Sequence, residues 1–195
     1  MNAKPDAAAE GDYFVLEPDM LDGMLLQSIP DPPSDPSWTL GARFSSSPQT
    51  PVPATICEGY EEEAPLPYVN VPPVMSAQLH QVLLAAGVGN VDVYDAELVS
   101  EDGRVRLQGY KAFNVIGLIA AADMAKSSFA PDNPSRSLDA SFDSLALDSD
   151  RIRGLLVFRL AEYSSAVVVH RSVRQAIEAA GITGLVFRKP ADFLS

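Results

Sequence analysis

Prolines crowd the first part of the chain, and their distribution constrains the fold more than any other feature of the sequence. Thirteen of the 16 prolines lie within residues 1–75. Proline lacks a backbone N–H and pushes the residue before it out of the helical region. The stretches IPDPPSDPSW (29–38) and SSSPQTPVPA (45–54) are therefore predicted to be irregular chain at the surface.

Two apolar stretches interrupt this irregular part. YFVLEP, at Tyr13–Pro18, and SWTLG, around Trp38, have the large apolar side chains that are typical of short strands packed onto a core. We therefore predict that residues 1–65 form an acidic, proline-rich N-terminal segment that wraps the core. Residues 66–195 are predicted to form the core domain itself.

Regular elements are predicted from Pro72 onward. Ser76 is a candidate helix N-cap followed by apolar residues at helical spacing, and Gly87 ends that helix. Ser172 is predicted to cap a second helix, which ends at Gly181. Strands are predicted at 90–99, 104–119, 142–148, 155–161, 166–170 and 185–187, with a short helix at 120–128.

The order of these elements predicts the fold class. Strands are separated by two or three helices without the regular alternation of a parallel α/β protein. We expect an α+β fold with a mainly antiparallel sheet, two or three packed helices and a proline-rich N-terminal segment. Gly109 and Gly117 interrupt the long strand at 104–119 and predict a bulge or a close backbone approach there.

The charge balance excludes some classes of partner. The chain has 14 Lys and Arg against 26 Asp and Glu, a formal net charge of −12. Nucleic-acid binding needs clustered cations, so no nucleic-acid partner is expected. The most apolar stretch, 113–122, has about half the length of a membrane-spanning helix, and the N-terminus lacks a signal-peptide core. We expect a cytoplasmic protein without a membrane partner, and the lone Cys57 fits a reducing compartment.

Candidate catalytic chemistry is sparse. The chain has two histidines: His80 is predicted on a helix face and His170 at the end of a strand, where a capping or packing role is expected. Their spacing matches no metal motif, and GVGNVD (87–92) runs from helix to strand, the wrong order for a dinucleotide site. We therefore predict no catalytic, cofactor-binding or metal-binding residues, no cofactor and no enzyme activity.

One acidic cluster stands out from the remaining charges. Glu58, Glu61, Glu62 and Glu63 surround Tyr60. One interpretation is a solvated loop. The other is a partner-binding patch, because carboxylates around an aromatic ring suit a basic partner that needs both steering and an anchor.

The C-terminal two thirds of the chain carry a family resemblance. YKAFNVIGLIAAADMAKS (110–127), FDSLALD (142–148) and the stretch 155–187 resemble the immunity protein 11 family of bacterial polymorphic toxin systems. The resemblance covers roughly residues 66–195. The matching features are the pair Tyr110 and Asn114, the following Asp123 and Ser127, the strand with Phe158 and Arg159, and the closing helix with Gly181 and Gly184 before Phe187.

The resemblance implies an antidote. Members of this family are expected to bind a cognate secreted toxin or effector domain in the cytoplasm and to neutralise it by stoichiometric protein–protein interaction. The charge of −12 favours a partner with a basic face. Two alternatives stay open: an adaptor or loading chaperone for a secreted effector, and an enzyme with an unrecognised site. The oligomeric state and the identity of the toxin also stay open.

Two residues of the resemblance are expected to serve the fold. A buried amide such as Asn114 must satisfy its hydrogen-bonding groups, and we expect it to bind backbone at a bulge. Arg159 is expected to pair with Asp123 or Asp143 in the core.

Overall fold

The computed structural model describes residues 10–21, 23–33, 37–129, 141–152 and 154–195. Their strands and helices are β1 (Tyr13–Pro18), β2 (Leu26–Ser28), β3 (Val52–Ile56), β4 (Tyr68–Val69), β5 (Val74–Ser76), α1 (Ala77–Ala85), β6 (Val91–Val99), β7 (Arg106–Val115), β8 (Leu118–Ile119), β9 (Ser128–Phe129), β10 (Phe142–Ser144), β11 (Val157–Leu160), β12 (Tyr163–His170), α2 (Arg171–Ala179) and β13 (Leu185–Arg188). Sheets and two helices make up an α+β fold.

The first strand lies inside a five-stranded sheet of order β13-β1-β12-β11-β8. Val15 of β1 lies opposite Val168 on one side and Arg188 on the other, so the N-terminal strand is held between two C-terminal strands. The strand predicted at Tyr13–Pro18 is confirmed. The β11–β8 pair is parallel and the other pairs are antiparallel.

The second large sheet has six strands in the order β2-β3-β6-β7-β5-β4. It is also mixed, because β3 and β6 are parallel. In the long β6–β7 hairpin, Ala96 pairs with Tyr110 and Leu98 with Leu107, so Gln108 and Gly109 together oppose a single residue of β6. Gly109 adopts a φ of 90°, which suits glycine, and the predicted bulge is confirmed.

Both long helices pack into the apolar cluster between the two sheets. The Ser76 hydroxyl accepts the Leu79 N–H at 3.1 Å, as predicted for the N-cap of α1. The prediction for α2 is wrong by two residues: its N-cap is His170, whose Nδ1 accepts the Ser172 N–H at 3.2 Å. Leu79 and Leu83 of α1, and Val173 and Ile177 of α2, are buried in this cluster with residues of both sheets.

The helix predicted at 120–128 is wrong. The Asp123 N–H donates to the Ala146 carbonyl, and the Ser127 hydroxyl donates to the Asp123 carbonyl at 2.8 Å and accepts the Ala146 N–H at 3.0 Å. These bonds to a distant segment compete with a helical ladder, so 124–126 form a turn before β9. Of the strand predicted at 142–148, only Phe142–Ser144 form a strand, β10. Leu147 forms an isolated β-bridge with Ala122.

The strand predicted around Trp38 is also wrong, although the predicted burial of its ring is confirmed. Trp38 lies in a turn, donates its indole N–H to the Pro30 carbonyl at 2.9 Å and packs edge-on against Phe44 and Tyr94. This cluster covers the outer face of the six-stranded sheet. Residues on both sides of position 65 therefore share core clusters, and the boundary drawn there stays a prediction.

Candidate functional site

The two histidines lie in structural positions. His170 is the α2 N-cap, and its Nδ1 also lies 2.9 Å from the Ser172 hydroxyl, so the capping role is confirmed. His80 lies half-buried on α1, and its pKa is lowered, first by burial and then by nearby Lys111. Within the part of the chain that the structure describes, no group of three or more His, Cys, Asp or Glu side chains is arranged to hold a metal ion.

The predicted acidic cluster forms two consecutive turns between β3 and β4, which we call the acidic loop (residues 58–63). The Tyr60 N–H donates to the Cys57 carbonyl at 3.1 Å, and the Glu63 N–H donates to the Tyr60 carbonyl at 3.2 Å. The chain on either side of the loop is tied to the same segment. The Cys57 N–H donates to the Leu25 carbonyl and the Met24 N–H to the Ala64 carbonyl, both at 2.9 Å.

The side chains of the acidic loop are available to a partner. Glu58, Glu62 and Glu63 are exposed, Glu61 is partly buried, and Tyr60 is 38% exposed. None of the four glutamates forms an ion pair with another described residue. Four neighbouring carboxylates without compensating cations produce a local negative potential on a loop whose two ends are hydrogen-bonded to the fold.

Asn114 serves the fold, but not at a bulge. It is fully buried on β7, and its side-chain amide donates to the Ala42 carbonyl at 2.7 Å. The partner therefore belongs to the N-terminal part of the chain, 72 positions away. The neighbouring backbone makes a similar link, since the Gly117 N–H donates to the Gly41 carbonyl at 2.9 Å.

Arg159 does not pair with Asp123 or Asp143. It is fully buried on β11, donates through Nη1 to the Ser164 carbonyl at 2.8 Å, and lies over the Phe113 ring at 5.8 Å. Burial lowers the pKa of this guanidinium, and the nearby Tyr68 hydroxyl opposes that shift. Asp123 instead pairs with Lys126 at 2.7 Å. The prediction failed because burial on β11 directs the side chain into the apolar cluster between the sheets.

An open cleft of about 540 Å³ lies where β1 and β13 end. The C-terminal end of β1 and the following residues supply one wall, and β13 and Asn70 supply the other. Glu17 and Arg188 form an ion pair at 2.7 Å in the lining, and Met20 and Leu21 stand at its edge, 51% and 88% exposed. The cleft thus combines charged groups with uncovered apolar side chains.

The immunity protein family model (Imm11) matches residues 28–192. That match includes the acidic loop, both helices, and Asn114 and Arg159. The chain belongs to the Imm11 immunity protein family. Among curated proteins, none is significantly similar to it.

Imm11 membership confirms the resemblance seen in the sequence. The family model matches from residue 28, whereas the resemblance was placed at residues 66–195. Its start at residue 28 agrees with the structure, in which β3 lies between β2 and β6 of the six-stranded sheet. Three of the nine residues that carried the resemblance, Asn114, Phe158 and Arg159, are buried; five are partly buried and Gly181 is exposed.

Sequence reasoning missed the cleft of this Imm11 protein. The signal available was a Met20–Leu21 pair in an acidic stretch. Such a pair is equally compatible with burial, and the cleft beside it is formed with β13, which follows more than 160 positions later. Neither helix in the described residues is long and apolar enough to cross a bilayer.

Proposed function

We propose that this Imm11 protein is a cytoplasmic antidote that binds the toxic domain of a cognate secreted effector of a polymorphic toxin system and blocks it. The observation that carries this proposal is the match to the immunity family over residues 28–192. Neutralisation proceeds by occupation of the toxin surface in an equimolar complex. No bond is made or broken, and neither a cofactor nor a catalytic group is required.

The partner is a toxin with a basic face, and the acidic loop contributes to its recognition. Three features support this part of the proposal: the net charge of −12, four glutamates that form no ion pair with the described residues (Glu58, Glu61, Glu62 and Glu63), and the partly exposed ring of Tyr60 between them. A negative patch raises the rate of encounter with a positive one, and an aromatic side chain at its centre provides an anchor.

The fixed ends of the acidic loop also favour binding. Cys57 and Ala64 are hydrogen-bonded to residues 24–25, so the loop backbone has less freedom to lose when a partner docks. Ordering a free loop costs conformational entropy that must be subtracted from the interaction free energy. Because the ends of the acidic loop are already held, less of the interaction free energy is lost to ordering it.

Co-expression with the toxin tests the proposal. The tagged protein is recovered from its own bacterium together with bound proteins, and the C-terminal domain of any large effector found is expressed alone and with this protein. We expect the domain to stop growth and the protein to restore it. A toxin domain inactivated by substitution is the control for expression burden.

Two results would contradict the antidote. One is a toxin domain that still kills when it is bound to this protein. The other is binding to the effector outside its toxic domain, which is the behaviour expected of an adaptor or loading chaperone.

A further inference from the structure

Two neighbouring apolar side chains are exposed at the open cleft. Eight large apolar or aromatic side chains are exposed among the described residues. Met20 and Leu21 line the open cleft, Val71 directly follows Asn70 of the same lining, and Tyr60 lies in the acidic loop. Single exposed apolar residues are normal, but an adjacent pair beside a depression is a feature of binding surfaces.

The cleft places carboxylates beside these apolar side chains. Glu17 is engaged with Arg188, as described above. Asp19 forms no ion pair with any residue in the described ranges, and its Oδ1 accepts only a long contact of 3.4 Å from the Leu21 N–H. Its backbone is fixed, because the Asp19 N–H donates to the Gly184 carbonyl at 3.0 Å. The carboxylate of Asp19, on a backbone that is held in place, is thus available to a cation of a partner.

Residues that follow the acidic loop pack against residues next to the cleft. Pro67, four positions after the loop, packs on Gly184 so closely that a Cβ at position 184 would lie 3.1 Å from its Cδ. Gly184 in turn binds Asp19 at the cleft. Leu66, directly before Pro67, fills the space next to Gly23, two positions after Leu21. Residues 64–67 therefore connect the two features directly.

We propose that this cleft receives an apolar side chain of the toxin that is flanked by Arg or Lys residues. This inference rests on the proposed function and names the surface that serves it. The apolar side chain is buried against Met20 and Leu21, while the flanking cations meet Asp19 and, beyond it, the acidic loop. Burial at the centre of an interface supplies most of the binding free energy, and charge complementarity at its rim selects the partner.

The two parts of the surface make different kinetic contributions. Long-range attraction by the acidic loop acts before contact, so it governs the association rate. Contacts made inside the cleft exist only in the complex, so they govern the dissociation rate. A substitution in the cleft should therefore change mainly the dissociation rate, and a change of charge in the acidic loop mainly the association rate.

The test compares two double variants of the full chain. Met20→Ser with Leu21→Ser removes the apolar rim of the cleft. Leu40→Ser with Leu194→Ser removes two other exposed apolar side chains, 47% and 70% exposed, and serves as the matched control. Association and dissociation rates are measured by surface plasmon resonance with the inactivated toxin domain. We expect the cleft variant to dissociate about 10-fold faster with little change in association, and the control to stay within about twofold of the wild type.

A single variant keeps the test independent of folding. Asp19→Asn preserves the shape of the cleft and removes its unpaired charge, and we expect about a threefold loss of affinity. If the wild type binds the toxin and both cleft variants dissociate at the wild-type rate, the cleft assignment is overturned while the antidote stands. If the wild type does not bind the toxic domain at all, the proposed function fails, and the cleft assignment fails with it.

Discussion

The carboxylates of β6 and those of the acidic loop differ in their ion-pair partners. Every acidic side chain along the middle of β6 has a cationic partner: Asp92 pairs with Arg43 at 2.7 Å, Asp95 with Lys111, and Glu97 with Arg106 at 2.6 Å. The four glutamates of the acidic loop have no such partner among the described residues. The same residue types therefore act within the fold in one region and, in our proposal, bind a second molecule in the other.

The β6–β7 hairpin shows what the paired groups do. Arg43, which meets Asp92, belongs to the same short segment as Gly41 and Ala42, whose carbonyls accept hydrogen bonds from β7 and the residues that follow it. Polar groups at this end of the hairpin thus hold residues 41–43 against the sheet. The glutamates of the acidic loop form no ion pair with the described residues and repel one another, and we propose that they serve binding instead.

Charge reversal in the acidic loop should produce the largest effect. Changing Glu58, Glu61, Glu62 and Glu63 to Lys places positive charge opposite a basic toxin, and we expect the association rate at low salt to fall about 100-fold. Stopped-flow mixing with the inactivated toxin domain measures this rate.

Reversal at scattered sites is the control for that experiment. Asp31, Glu101, Asp143 and Asp192 are exposed and lie outside the acidic loop, so their change to Lys alters the net charge equally. If the scattered variant slows association as much as the loop variant, the loop has no special part in recognition.

Loss of the Asn114 amide should have the next largest effect, and on stability. Asn114→Ala removes the bond to the Ala42 carbonyl and leaves unfilled space beside β7, which should lower the free energy of unfolding by about 1–2 kcal/mol. Urea denaturation checks this. Asn70→Ala is the comparison, because Asn70 is only half-buried and its bond to the Ser165 carbonyl is 3.3 Å long. Equal losses in the two variants would mean that residues 41–43 are not held mainly through Asn114.

Neutralising the paired carboxylates of β6 should have a smaller effect. Asp92→Asn, Asp95→Asn and Glu97→Gln each remove one exposed ion pair, and each should lower the free energy of unfolding by no more than about 1 kcal/mol. The association rate with the toxin should hardly change. A slower association in these variants would mean that β6 also contributes to the interface. The carboxylates of β6 and of the acidic loop would then not differ in function.

The pH dependence contributed by His80 should be the smallest effect. Because the folded pKa of His80 is lowered, its proton binds more tightly to the unfolded chain. The stability linked to this group is present above its unfolded pKa of about 6.5 and is lost as the pH falls through that value. His80→Gln should therefore lose less stability than the wild type between about pH 7.5 and about pH 5.5 in urea titrations. Identical losses would show that His80 is not the group responsible.

The features that could be predicted from the sequence are those set by neighbours along the chain. The Ser76 cap, the Gly109 bulge and the strand at Tyr13–Pro18 each depend on local side chains and backbone preferences. The failures involve contacts between elements. Asp123 and Ser127 are hydrogen-bonded to Ala146 of another segment, and Arg159 is buried over the Phe113 ring of β7 and donates to the Ser164 carbonyl, not to a carboxylate.

The two parts of the candidate surface, the acidic loop and the cleft, also differ in how far the sequence predicts them. The acidic loop could be picked out because its four glutamates and Tyr60 are adjacent in the sequence. The cleft could not, because it forms where β1 meets β13, which lies near the other end of the chain. Long-range pairing of this kind leaves no pattern in a single sequence.

The salt dependence of association tests the central contrast most directly. Two variants each lose three negative charges: Glu58→Gln, Glu61→Gln and Glu63→Gln in the acidic loop, and Asp92→Asn, Asp95→Asn and Glu97→Gln on β6. Their association rates with the toxin domain are measured from about 20 mM to about 500 mM salt, a range over which screening of exposed charges becomes nearly complete. We expect the loop variant to lose most of the salt dependence of the wild type and the β6 variant to keep it. Equal loss in both variants would mean that net charge alone explains recognition and that the acidic loop has no special part in it.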